Sequence, residues 1–424
     1  MSRPPHQLIR ATLAATLVAG YGLLTACGGG ASVDFAGGGG GSPGGGGSGS
    51  GGTGMNTVPV TVDQGPAAAG GSVNTLYTSV TLCVPGSTTQ CQTIDHVEVD
   101  TGSTGFRILA SVLGSGIQAT DLPLATDASH NPLDECVQFA DGYSFGTVRT
   151  ADLVIGSETA ASVPIQVIGD AAAGATPASC VLGPLENTVP TFGANAILGI
   201  GNFLTDCGIA CASSAIPGTY YDCPVTGTCT PVAVAVTAQL QNPVSMFSGD
   251  NNGVVIELPG IQSPTATLAG TLLFGIGTQA DNALPSTANI YTLDPNYGTL
   301  TTLYNGSVYS SSFIDTGSNG YFFTDDTITT CTDQPSFYCP ASTLALQATI
   351  QDVNGVNAMV SFDVDNADAD FATNAAALPN LAGPAGSSLQ GAFDWGLPFF
   401  YGRPVYLAFE SNSVAGVAGP WVGF

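Results

Sequence analysis

A chain of 424 residues with 5 lysines and arginines against 31 acids carries a formal charge of −26, which sets it against nucleic acid and anionic lipid as partners. It has no lysine, and from residue 27 onward 3 arginines face all 31 acids, 3 − 31 = −28. A chain so poor in cations gains little self-repulsion when its carboxylates take up protons, which suits a fold that must survive acid.

Residues 1–26 read as an export signal: Arg3 and Arg10 open it, and Ala11 to Leu24 form an apolar stretch of 14, too short to span a bilayer. Leu24-Thr25-Ala26-Cys27 resembles the bacterial lipobox, which implies cleavage before Cys27 and a lipid on its thiol. Gly28 follows rather than aspartate, so the likeness points to the outer membrane of the cell envelope. Residues 27–55 are then a lipidated cysteine and a glycine- and serine-rich tether, with too little apolar surface to fold.

From Asn56 about 370 residues remain, enough for two domains with a sizeable core each. The expected lobes are 56–245 and 246–424, with the boundary between Asn242 and Asn252. Short alternating runs rich in Val, Ile, Thr and Tyr, with little helical periodicity, make the class all-β. Strands are expected over Leu76 to Leu82, Ile94 to Val99, Ala151 to Ile155, Gly253 to Leu258, Gly270 to Phe274 and Val405 to Phe409. Asn305-Gly306 predicts a two-residue hairpin between Leu300 to Tyr304 and Ser307 to Ile314.

Ten cysteines besides Cys27 favour disulfides in an exported chain. Cys83 with Cys91 and Cys331 with Cys339 can close local loops, and Cys136 with Cys180 a longer one. The pairing of Cys207, Cys211, Cys223 and Cys229 stays open, with a zinc site of these four as the alternative chemistry.

The motif that carries chemistry occurs twice. Val97 to Leu109 reads VEVDTGSTGFRIL and Ser312 to Phe323 reads SFIDTGSNGYFF, each passing from an apolar strand into Asp-Thr-Gly-Ser. A given tetrapeptide arises by chance at about 1 position in 10⁵, so two copies mark a repeated unit. If the units pack about a two-fold axis, Asp100 and Asp315 meet and share a proton, because like charges so close cannot both ionise cheaply. One then acts as general base toward water and the other as general acid toward a carbonyl. Gly102 and Gly317 allow the tight turn, while Thr101, Ser103, Thr316 and Ser318 supply hydroxyls that orient the carboxylates.

Other signals are weaker. Gly275 to Ala280 follows the dinucleotide fingerprint but lacks a helix after it, so it reads as a turn. Asp363, Asp365, Asp368 and Asp370 are spaced like calcium ligands without the rest of that loop and read as a solvated acidic segment. His96 and His130 have no serine or cysteine partner in a nucleophile motif.

Together the two aspartate loops resemble the pepsin-like aspartic peptidases. Tyr77 to Cys83 followed by Thr93 to Asp100 is similar to the run-up to that family's first catalytic aspartate. Ala196-Ile197-Leu198-Gly199-Ile200 is similar to its glycine segment beneath the first loop, Gly270 to Gly275 to the opening of its second lobe, and Trp395 to Phe400 with Tyr406 and Phe409 to its terminal signature. The resemblance spans Asn56 to Phe424 and implies a bilobal, pepsin-like acid-protease fold of two β-barrel-like lobes with a cleft between them. It implies Asp100 and Asp315 as the catalytic pair, Thr101 and Thr316 as braces, Ser103 and Ser318 as carboxylate partners, and no metal or organic cofactor. Phe139 stands where the family's flap carries a tyrosine, with Tyr143 the alternative if the hairpin register slips. Arg107 replaces a supporting tryptophan, and Asp394 stands at a hydrophobic place in the second glycine segment. The expected activity is that of an aspartic endopeptidase on peptide or protein substrates, monomeric and membrane-bound only through its lipid. The alternative is a non-catalytic envelope lipoprotein that binds peptides or proteins on the same fold.

Overall fold

The computed structural model describes residues 56–127, 129–224, 227–386 and 389–424; the export signal, Cys27 and the tether lie outside the described residues. Strands form where alternation is cleanest. Leu344–Gln351 and Asn357–Val364 each bury every second side chain over their second halves, Ala348 and Ile350 on one and Val360, Phe362 and Val364 on the other, with Ala348 opposite Val360 and the side chains between them turned outward. All six expected strands are present, five within a few residues of their bounds, while that expected over Ala151 to Ile155 begins much earlier, at Tyr143. The Asn305-Gly306 hairpin is present too, with φ of 47° and 79° at the two turn residues and Tyr304 opposite Ser307.

Each half contains the same knot of strands around its aspartate loop. In the first, Cys91–Asp100 runs parallel to Ala196–Ile200, with Asp100 opposite Gly199. Thr104–Leu109 returns antiparallel to that same strand, then pairs in parallel with Glu158–Ile168. In the second, Ser307–Ile314 runs parallel to Asp394–Trp395, Tyr321–Phe322 returns antiparallel to it, and Tyr321–Phe322 pairs in parallel with Ala382–Gly383. Each central strand carries a glycine at or just past its end, Gly199 and Gly396, because the loop passes directly over it. A Cβ at Gly199 would lie 2.7 Å from the Ser103 Oγ, and one at Gly396 would lie 2.2 Å from the Gly320 carbonyl oxygen.

Among the described residues one sheet runs through fifteen strands and a second through seven. The larger sheet joins the halves: Thr57–Val62 pairs along its whole length with Leu268–Phe274 and at one end with Leu76–Cys83. Gly253–Glu257 continues it to Val405–Ala408, which pairs with Trp421–Gly423. Beneath it one apolar core extends from Val58 to Val422. Its second-half portion is aromatic, with Phe393 stacked on Phe323 at 4.7 Å and on Trp395 at 4.3 Å.

Five disulfides form, and they settle the pairing that the sequence left open. Cys207 bonds Cys211 and Cys223 bonds Cys229, beside Cys83–Cys91, Cys136–Cys180 and Cys331–Cys339. The four loop cysteines therefore have no thiolates to offer zinc. Asp134 next to Cys223 and Cys229, and Asp368 next to Cys331 and Cys339, make metal-like clusters only with sulfurs already spent in disulfides. No described helix is long and apolar enough to cross a membrane.

Candidate active site

Asp100 and Asp315 each end a strand and begin a turn, and the turns hold their carboxylates in the same way. The Gly102 amide donates to Asp100 Oδ1 at 2.8 Å and the Ser103 hydroxyl donates to Oδ2. The Gly317 amide donates to Asp315 Oδ1 at 2.7 Å and the Ser318 hydroxyl to Oδ2 at 3.1 Å. The threonines brace the loops across the pseudo-dyad: the Thr101 amide donates to Thr316 Oγ1 at 3.1 Å, and the Thr316 amide to Thr101 Oγ1 at 3.0 Å. Thr316 Oγ1 also donates to the Val99 carbonyl at 2.7 Å.

The two carboxyl groups meet. A Cβ at Gly102 would lie 2.7 Å from the Asp315 carboxyl carbon, so only glycine lets the second aspartate approach the first loop. Asp315 is held well above the usual carboxylate range, through burial first and then the charges of Asp100 and Asp394, against the pull of the Gly317 amide. Asp100 is 1% exposed and Asp315 0%. Two carboxyls brought this close can, if they share one proton, polarise a carbonyl and deprotonate water together.

The flap hairpin joins Leu133–Gln138 to Tyr143–Ile155, with Gln138 opposite Tyr143 and the Phe139 amide donating to the Gly142 carbonyl. In this register Phe139 packs with Tyr77, Leu109, Phe192 and Ile197, beside the strand under the first loop. Tyr143 turns the other way, among Phe145, Tyr221 and the Cys136–Cys180 and Cys223–Cys229 disulfides. Of the two flap candidates, Phe139 is therefore the one on the side of the aspartate loops.

Arg107 is buried and makes a 2.6 Å ion pair with Glu135 on the flap strand, a 2.8 Å bond to the Thr104 carbonyl and a 3.8 Å approach to Asp206. Burial opposes its charge, and the two acids outweigh that penalty. Asp206 is pushed well above the usual carboxylate range by burial and by Glu135, and accepts from the Tyr220 hydroxyl at both oxygens. An ion-pair cluster thus ties the flap strand to the loop strand where an aromatic pair was the family expectation.

The remaining sequence signals lie elsewhere. Gly275 and Gly277 are turn residues with φ of 77° and 66°, and no helix follows. Asp365 accepts from Thr343 and Asn380, and Asp368 and Asp370 lie in the short helix Ala367–Phe371. His96 sits between Asp63 at 3.6 Å and Asp95 at 3.2 Å.

Asn74 is a site residue that sequence patterning passes over. Buried, with φ of 48°, it donates to the carbonyls of Asn319 and Leu378 at 2.8 Å and accepts from the Leu378 amide and the Tyr401 hydroxyl at 2.7 Å. It clamps the first half to the residue following Ser318. Four hydrogen bonds to three residues more than 240 positions away leave no local mark.

The matched strand knots, the inter-half sheet and the paired aspartate loops define a bilobal all-β fold of the pepsin-like acid-protease type. The chain is similar to the aspartic proteinase from Irpex lacteus, at 16% identity over 85% of this chain and 98% of that one, with a TM-score of 0.43. No curated protein matches it. Residues 52–424 match the family described as "Protein of unknown function (DUF3443)", and the chain belongs to that family.

Proposed function

We propose that this protein is an aspartic endopeptidase of the cell envelope, held by a lipid on Cys27 and a Gly/Ser tether. The observation that carries the reading is the pair of aspartates, each held by a glycine amide and a serine hydroxyl, with the Asp315 carboxyl against Gly102 of the first loop. Asp100, as carboxylate, takes a proton from a water whose oxygen attacks the peptide carbonyl carbon, while Asp315 gives its proton to the carbonyl oxygen. The gem-diol collapses as Asp100 passes its newly gained proton to the amide nitrogen, the C–N bond breaks, and one gem-diol hydroxyl returns its proton to Asp315. No metal or organic cofactor enters this scheme. The substrate lies extended between lobes 56–245 and 246–424, under the flap that carries Phe139.

The second reading is an envelope lipoprotein that binds peptides without cleaving them; Phe139 at the place of a flap tyrosine favours it. Incubation of the purified protein with an unfolded substrate from pH 3 to 7, beside Asp100→Asn and Asp315→Asn, decides between them. Either substitution is expected to lower the rate by at least about 10³-fold, as for removal of an essential catalytic group. A folded wild type that cleaves nothing across this range overturns the peptidase reading in favour of binding.

A further inference from the structure

The two loops hold their aspartates so alike that nothing in them decides which one keeps the shared proton. The asymmetry lies one strand away. Asp394 pairs in parallel with Phe313 and antiparallel with Phe322. The matching ladder position of the first half, between Glu98 and Arg107, is Ile197, which packs with Leu109, Phe139 and Phe192. Where symmetry would set a hydrocarbon, the second half buries a carboxyl that is 0% exposed.

This carboxyl has little compensation. Neither of its oxygens has a hydrogen-bond partner at ordinary geometry, although the Ser318 hydroxyl is near enough to offset part of the burial. Ser318 is also the residue that donates to Asp315. The titratable groups around Asp394 are Asp315 at the end of the parallel strand, Asp100 from the other loop, and Tyr321 on the antiparallel strand. The cation of this half, Arg403, acts on Tyr321.

We propose that Asp394 is a positioning residue of this site, a third buried carboxyl that acts through Ser318 and opposite Asp100 to assign the shared proton to Asp315. The inference rests on the aspartate pair being the reacting centre. Burial pushes Asp394 well above the usual carboxylate range, with the charge of Asp100 adding to it, whereas Asp315 feels both Asp100 and Asp394. A charge on Asp394 therefore adds to the cost of ionising Asp315, on top of burial and the charge of Asp100. Once Asp394 is charged, the proton that the proposed working form needs on Asp315 is held more firmly than two carboxyls alone would hold it. Three coupled carboxyls extend the active form toward neutral pH, beyond the reach of two.

Asp394→Asn removes the ionisable group and keeps a polar side chain; Asp394→Leu restores the hydrocarbon of the first half. In both, the alkaline limb of kcat/KM is expected to fall by about one pH unit, roughly tenfold in rate at a fixed pH on that limb. A purely structural role would lower kcat/KM at every pH without moving the limb, and an unmoved limb in the folded Asn variant overturns the proposal. A ¹³C NMR titration of the aspartate carboxyls in the unliganded protein gives a second readout. The highest-titrating carboxyl, assigned to Asp315 by its loss in Asp315→Asn, is expected to move down in both Asp394 variants. If the wild type cleaves nothing, that movement still supports the three-carboxyl arrangement while the peptidase reading fails; a stationary resonance overturns it.

Discussion

The threonine brace yields an asymmetric expectation. Thr316 Oγ1 serves two buried backbone groups, accepting from the Thr101 amide at 3.1 Å and donating to the Val99 carbonyl at 2.7 Å, whereas Thr101 Oγ1 accepts from the Thr316 amide at 3.0 Å and only approaches the other hydroxyl, at 3.5 Å. Replacement by valine keeps the shape and leaves the backbone partners buried and unpaired, at about 1–3 kcal/mol for each. Thr316→Val, with two orphaned groups, is then expected to lose about 2–6 kcal/mol, and Thr101→Val about 1–3 kcal/mol. The double variant should lose less than the sum of the singles, because both substitutions break into one network. Urea unfolding with the disulfides intact, followed by tryptophan fluorescence, gives the three values; Trp395 and Trp421 are both fully buried. Equal losses for the two singles, or a Thr316→Val loss under about 0.5 kcal/mol, would refute the claim that this hydroxyl carries the junction.

Two further outcomes follow from the same structure. The Cys136–Cys180 bond closes a loop of sequence separation 44 from the flap strand, so the Cys136→Ala/Cys180→Ala pair should destabilise the fold by about 4 kcal/mol on loop entropy, read as a lower unfolding midpoint. Asp134 and Asp370 are both raised to about 7, through burial first. The unfolded chain releases these protons near pH 4 while the folded chain keeps them, so their contribution is full below about pH 4 and is lost as pH rises through about 7. Asp134→Asn and Asp370→Asn should therefore gain stability relative to wild type between pH 4 and 7, measured by thermal melts across that range; a constant difference would remove the titration from the account.

What the sequence made legible was local. Asp-Thr-Gly-Ser written twice, the glycine within Ala196–Ile200 and the Asn305-Gly306 turn each encode their geometry within a few residues. The disulfides Cys207–Cys211 and Cys223–Cys229 were not legible, because four cysteines in one loop pair according to where the chain folds them. Asn74 escaped for the same reason: its partners come from residues 319, 378 and 401. Arg107 and Asp394 were visible as departures from a pattern, yet their partners were not. Glu135, Asp206 and Ser318 become neighbours of those side chains only through strand pairing and packing.

The strand Thr57–Val62 has a consequence for the order in which the molecule can be built. Its full-length partner is Leu268–Phe274, and Asn56 just before it donates to the Phe274 carbonyl across a separation of 218 residues. A chain emerging from its N-terminus thus carries one open strand edge until well into the second half, and the first half cannot close its sheet alone. Assembly of the two loops is tied to completion of the whole polypeptide, so a prematurely ended chain presents an unpaired edge, the kind of surface that invites aggregation or removal.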